Sequence, residues 1–397
     1  MKAMVESLRG MAAERQRLLL VAGILMFMLL PLQSSGMAVA LSLMLLVGHY
    51  RQRDVQAVSV GGLWGVAVAI GVMLLASTAF SHDPAASLKA IGKVVPAFLF
   101  LWLLLQAMRR SVLNDGSSLL VAAGIAALVA VVIFLSSQVW YGGYVSRIEG
   151  LTVLPARNGT SVALLFVLCA VMAVYQVRHN SAILMAGLLL LWIIMANGGR
   201  GALVGALAVV GWTIMRRYRL RVSHMLLTAL AGLVIAGTAV WWWGLPSGLE
   251  RAEGGVLTGR GSLWLAAVQV IREQPWFGIG INVWKSSPYV HSLSNGWINQ
   301  PSPHNFVLDI LTSVGVVGTL SCLMACGMLG WRLRAAALQV APEFRAFGWA
   351  LLVGFLVNAL VDFRVFSVQF VVAVGVGMLL AFAGKSSPRP GSASPLP

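Results

Sequence analysis

The sequence predicts an all-α polytopic membrane protein of about twelve transmembrane helices, with one long exterior loop that contains short helices. Three observations predict it. The 397 residues are 59% hydrophobic and 10% charged, against roughly 25% charged residues in globular proteins, and the mean hydropathy is +0.87. Apolar stretches long enough to span a bilayer recur along almost the whole chain. The Lys and Arg residues collect in alternate connections between those stretches, as cytoplasmic loops require.

In chain order the apolar segments are 18–33, 35–49, 61–80, 90–107, 117–137, 160–177, 181–197, 200–215, 225–244, 304–331, 346–361 and 366–384. The N-terminal "MKAMVESLRGMAAERQR" is basic, but no small-residue cleavage site follows the first apolar run, so that run reads as a retained helix. An even number of spans puts both termini on one side. With the termini cytoplasmic, "AERQR", "HYRQRD", "AMRR", "VRHN", "MRRYRLR", "WRLRAAALQVAPEFR" and "GKSSPRP" all fall inside, and they carry most of the 28 Lys and Arg residues. Residues 1–384 then form a single transmembrane domain, 245–303 its large exterior loop, and 385–397 a tail of disordered composition.

Within the long loop, "GRGSLWLAAVQVIREQP" has helical spacing of Leu263, Ala266, Val270 and Ile271, which predicts a helix on or near the membrane surface. The exterior aromatics Trp140, Tyr141, Tyr144, Trp241–Trp243, Trp276, Trp284 and Trp297 read as an interfacial belt. Cys169, Cys322 and Cys326 lie inside apolar runs, which argues against disulfides and Cys-based metal sites. A net charge of +16 would suggest nucleic acid for a soluble protein. In this chain it belongs to orienting loops, membrane lipid and an anionic ligand, and no nucleic-acid partner is expected.

Exterior arginines work against insertion in this orientation. Four stand out: Arg147 in "YVSRIEG", Arg157 in "LPARNGT", Arg200 in "ANGGRGA" and Arg260 in "LTGRGSLW". Arg200 and Arg260 are each set between glycines, Gly201 and Gly261 among them, which permits close approach of a ligand to the main chain. Arg157 and Arg200 also open the next helix, whose N-terminal amides favour an anion. A planar guanidinium suits phosphate, and several converging on one pocket suit a diphosphate. A single exterior arginine serves a lipid headgroup equally well by snorkelling.

Among the exterior histidines, His82 and His291 read as solvated loop residues. His304, followed by Asn305, sits where the long loop turns back into an apolar run that carries Asp309. There it is either a polar cap on a membrane helix or a base that takes a proton from an alcohol. Lys93 and Asp309 are the clearest ionisable residues within spans, and both are expected near the outer face. No exterior Asp-x-Asp, His-Glu-x-x-His, P-loop or Gly-x-Ser-x-Gly occurs, so no metal site and no cofactor is expected.

Three stretches carry a family resemblance: Arg200-Gly201 opening a helix, the run from Gly259-Arg260 through Trp264 to "IREQPWFGIG" ending at Gly280, and "HNFVLDILTSVGVVG" from His304. In this order, the chain resembles the O-antigen ligase and polymerase superfamily of GT-C-like membrane transferases. The resemblance implies a bacterial inner-membrane protein with its active site facing the periplasm. It implies transfer of O-antigen polysaccharide from undecaprenyl diphosphate to a sugar hydroxyl of lipid A-core, metal-independent and inverting. Carried onto these residues, it implies that His304 is the base. Arg200 and Arg260 would grip the diphosphate, with Arg147, Arg157, Asn305, Gly201 and Gly261 as further substrate contacts. A polymerase that extends the lipid-linked chain differs only in acceptor. A protein O-oligosaccharyltransferase and a transporter of anionic lipid are the remaining readings, and the apolar mid-span sequence argues against the transporter.

Overall fold

A computed structural model describes residues 18–32, 36, 39–41, 43, 61–108, 116–141, 147–148, 151–152, 155–219, 260–287, 302–335, 340–362 and 366–383. The helices are α1 (Leu18–Leu32, its last turn Leu30–Leu32 being 3-10), α2 (Gly61–Ala79), α3 (Pro84–Met108), α4 (Ser117–Tyr141), α5 (Arg157–Arg178), α6 (Ser181–Asn197), α7 (Arg200–Tyr218), α8 (Arg260–Glu273), α9 (Phe306–Ala335), α10 (Pro342–Asp362) and α11 (Val368–Ala381). Between α4 and α5 lies a minimal antiparallel ladder, β1 (Arg147–Ile148) with β2 (Leu151–Thr152), pairing Arg147 with Thr152. The protein is thus an essentially all-helical, multi-pass membrane protein. Among the described residues, five helices are long and apolar enough to cross a membrane: Pro84–Gln106, Ser117–Trp140, Arg157–Arg178, Phe306–Arg334 and Pro342–Val361. The expected span 225–244 lies outside the described residues, as do most of 35–49 and the tail 385–397.

Helix α5 is the centre of the bundle. It is the most deeply enclosed of the long spans, with 89% of its apolar window inside the protein. Its Phe166 stacks on Phe355 of α10 at 4.6 Å and lies 4.8 Å from Phe27 of α1. Lipid tails are as apolar as these side chains, so close backbone packing has to supply much of the attraction. The helices provide it at small residues. A β-carbon at Gly205 of α7 would strike the carbonyl of Gly354 on α10, and one at Gly348 of α10 would strike the backbone of α11.

Long-range contacts give the helices their directions. Arg178, at the end of α5, meets Glu343, at the start of α10, with Nε 3.3 Å from Oε1. At the other end of α10, the carbonyl of Leu360 accepts a 3.0 Å bond from Asn305 Nδ2, just before α9. The start of α5, the end of α6, the starts of α7 and α9 and the end of α10 therefore share one end of the bundle.

The apolar run 304–331, which reads as one continuous span in the sequence, is interrupted. Gly315 has φ 65° and ψ −169° inside α9. The break is filled by residues 275–280 from the long loop. Ile279 N–H donates to Thr312 O at 2.8 Å and Gly280 N–H to Ser313 O at 3.1 Å. Val316 N–H donates to Pro275 O at 2.8 Å and Val317 N–H to Trp276 O at 3.2 Å. Four peptide groups at the break are thus met from the loop, as non-helical backbone inside a membrane protein requires. Gly278 and Gly280 carry φ of 67° and 107°. The hydroxyl of Ser77 on α2 bonds Ser313 O at 3.1 Å, and Ser81 Oγ bonds Ile279 O at 3.2 Å.

Helix α8 forms at the residues its spacing predicts, and at 14 residues it is too short to span. Its stripe of Leu263, Ala266, Ala267 and Val270 is buried against Ile279, Trp284 and Leu308. The stripe faces protein, while Ile271 is half-exposed. Trp284, expected in the interfacial belt, is buried in this small core, whereas Trp140 and Trp276 are exposed.

Candidate functional site

The site is built from two pairs of elements at one end of the bundle. In the first pair, α5 begins at Arg157 and α7 at Arg200, as the sequence predicts. Neither start is capped by a side chain: Ala156 and Gly199 occupy the cap positions. First-turn N–H groups have no partner within their own helix, so two positive helix ends lie where the two arginines begin.

Asn197 ties these ends together. It is 3% exposed, and its Nδ2 donates to Ser161 Oγ at 2.7 Å and to the carbonyl of Arg157 at 3.3 Å. Gly198 follows as a left-handed C-cap with φ 74°, its N–H bonded to Met195 O. A β-carbon at Gly199 would strike Ser161. This revises the reading of the Gly-Arg-Gly setting of Arg200. Gly198 and Gly199 turn the chain and let α7 start against α5, so the close approach at Gly199 is made by Ser161. Gly201 is buried within α7.

In the second pair, His304 has φ 55°, a left-handed backbone uncommon for a residue with a side chain. Its N–H donates to Ser302 Oγ at 3.3 Å. Asn305 then caps α9, its Oδ1 accepting from Val307 N–H at 3.0 Å and Leu308 N–H at 3.2 Å. With Nδ2 on Leu360, both ends of the Asn305 amide are engaged within the protein, so it holds the His304 turn against α10. One residue before His304, the carbonyl of Pro303 accepts a 3.1 Å bond from Trp264 Nε1 of α8. Trp264 lies four residues after Arg260, the first residue of α8, and so about 6 Å further along the axis.

The structure thus gathers His304, Asn305, the starts of the Arg157 and Arg200 helices, and the start of α8 at one end of the bundle. Gly261 lies in the first turn of α8. Arg147 lies on the β ladder between α4 and α5. The side chains of Arg147 and Arg260 are outside the described residues, as is His291. Asp309 is buried in the first turn of α9, and Lys93 is exposed on α3. The sequence marks Trp264 only as part of the family-like run, with no role of its own, and Asn197 not at all. The available signals were a tryptophan one helical turn after Arg260 and an asparagine directly before paired glycines. Among the described residues no group of three or more His, Cys, Asp or Glu side chains is placed to hold a metal ion.

Comparison with known proteins adds a family. The family described as O-Antigen ligase matches residues 185–323. That stretch runs from α6 into α9, taking in Arg200, Arg260, the 275–280 segment, His304 and Gly315, while Arg147 and Arg157 lie before it. The O-antigen ligase of Pseudomonas aeruginosa strain PAO1 is 30% identical over 167 residues, 40% of this chain. The match spans 37% of that relative's length. Among solved structures, a chain from work on coordination of polymerization and crosslinking by a peptidoglycan synthase complex aligns with TM-score 0.43 and 16% identity. That alignment covers 80% of this chain and 97% of the other, a likeness too low to carry an argument. Through the segment that holds Arg200, Arg260 and His304, the chain is similar to the O-antigen ligase family.

Proposed function

We propose that this protein is a glycosyltransferase that moves O-antigen polysaccharide from undecaprenyl diphosphate onto a sugar hydroxyl of lipid A-core. The observation that carries the reading is that the His304 turn shares one end of the bundle with the starts of the Arg157 and Arg200 helices. The family match, which covers Arg200, Arg260 and His304, supports it.

In this mechanism His304 takes the proton of the acceptor hydroxyl, whose oxygen attacks the anomeric carbon of the lipid-linked sugar. A new glycosidic C–O bond forms as the bond from that carbon to the diphosphate breaks, with inversion. Undecaprenyl diphosphate leaves with its electron pair. Arg200 and Arg260 bind the diphosphate and offset the charge that develops on the leaving oxygen, assisted by the first-turn amides of α7. Arg147 and Arg157 are secondary phosphate contacts. Gly261 leaves the main chain beside Arg260 open to the substrate, and Asn305 acts by holding His304. Guanidinium charge takes the part that a divalent cation plays in many sugar transfers, so the reaction needs neither metal nor nucleotide. The protein lies in the inner membrane with both termini cytoplasmic, and the site faces the periplasm.

The test gives purified protein lipid-linked polysaccharide with lipid A-core, in the presence of a chelator. Joined product is the expected result. Elongation of the lipid-linked chain without transfer to lipid A-core would make the protein a polymerase instead.

A further inference from the structure

The end of the bundle opposite His304 carries a continuous row of arginine and aromatic side chains drawn from four helices. The guanidinium of Arg216 on α7 lies 5.4 Å from the ring centre of Trp212. Trp212 is 6.1 Å from Trp349 of α10, and Trp349 is 5.2 Å from Phe382, the residue that caps α11. Arg334, near the end of α9, lies 4.9 Å from the Phe382 ring. Both terminal arginines are exposed, and the three rings between them are half-buried.

The surroundings are strongly basic. Arg178, Arg217, Arg332 and Arg345 stand at the same end. Among the described residues the carboxylate there is Glu343, which is engaged with Arg178. Arginines that serve only to orient a span are free to extend into water. Here Arg216 and Arg334 lie over rings, which holds their charge at the apolar boundary. A guanidinium at that depth has its N–H groups available to a phosphate at the headgroup level.

We propose that this row is a binding site for an anionic phospholipid of the surrounding bilayer. The flanking guanidiniums take headgroup phosphate, and an acyl chain lies along Trp212, Trp349 and Phe382. Charge complementarity favours an anionic over a zwitterionic lipid, as for basic pockets between membrane helices in general. The proposal is independent of the sugar-transfer reading, since none of its residues belongs to the His304 end.

The test is native mass spectrometry of the purified full-length protein with phosphatidylglycerol or phosphatidylcholine of matched acyl chains. Phosphatidylglycerol should be retained at least fivefold more, and the preference should fall with added salt. Arg216→Gln with Arg334→Gln should remove most of the preference, whereas Arg272→Gln, exposed on α8, should leave it unchanged. Should the double variant fail to fold, each single variant reads the same loss, and the salt titration reads it on the unaltered protein. Equal retention of the two lipids, or an undiminished preference in the folded variants, would overturn the proposal.

Discussion

Trp264 Nε1 donates to the carbonyl of Pro303 at 3.1 Å, so the helix that Arg260 opens is bound to the residue before His304. The bond closes a separation of 39 residues between two stretches of the long loop. It also fixes the left-handed turn at His304 from one side, while Asn305 fixes it from the other. Trp264→Phe keeps an aromatic ring, though a smaller one, and deletes the donor. The expected stability loss is about 1 kcal/mol, with kcat falling roughly tenfold or more through misplacement of His304, the proposed base. KM for the lipid-linked donor should change little. An unaltered kcat in steady-state transfer assays would remove Trp264 from the positioning of His304.

His304→Ala should reduce transfer by roughly a hundredfold or more, the range expected when a general base is lost. Donor binding, measured by retention of labelled lipid-linked polysaccharide, should persist because the arginines remain. Full transfer by this variant would eliminate His304 as the base.

Gly315 occupies a backbone conformation open essentially to glycine, and a β-carbon there would strike the main chain of Trp276 and Phe277. Gly315→Ala is expected to cost about 1–3 kcal/mol from backbone strain alone, read as a lower unfolding temperature in detergent. Gly327, in the same helix, has open space around it, so Gly327→Ala serves as the matched control with no loss. Equal unfolding temperatures for the two variants would contradict the broken-helix arrangement.

Asn197 makes two hydrogen bonds from a buried position between the starts of α5 and α7. Asn197→Ala should destabilise the protein by about 1–3 kcal/mol, since it leaves buried acceptors unsatisfied. Its kinetic signature should be a severalfold higher donor KM, because the groups it aligns are the proposed diphosphate contacts. A fall in kcat alone would assign Asn197 to the chemistry of the acceptor instead.

Glu273, at the end of α8, is exposed. Glu273→Cys, in a variant with Cys169, Cys322 and Cys326 replaced by serine or alanine, should react with an impermeant maleimide added from the periplasmic side. Labelling from the cytoplasmic side only would invert the topology and with it the proposed substrates.

Much of this protein is written locally. Apolar length and charge asymmetry mark the spans, and α5, α7 and α8 begin at Arg157, Arg200 and Arg260 as their sequences predict. Each of these features depends on neighbours within a few turns of helix, where periodicity and hydropathy operate. The glycine settings were legible as special positions, but whether a ligand or another helix makes the close approach was not. At Gly199 the neighbour is Ser161. The break at Gly315 and the seating of Pro275–Gly280 within it were likewise illegible, because peptide groups carry no residue identity. The pairings of Asn197 with Arg157, Trp264 with Pro303 and Asn305 with Leu360 join residues 40, 39 and 55 positions apart. Hydropathy alone determined that this chain enters lipid and, to within a turn or two, where its helices lie. Only tertiary packing decided which helix ends meet, because that is settled by hydrogen bonds and close contacts between segments far apart in the chain.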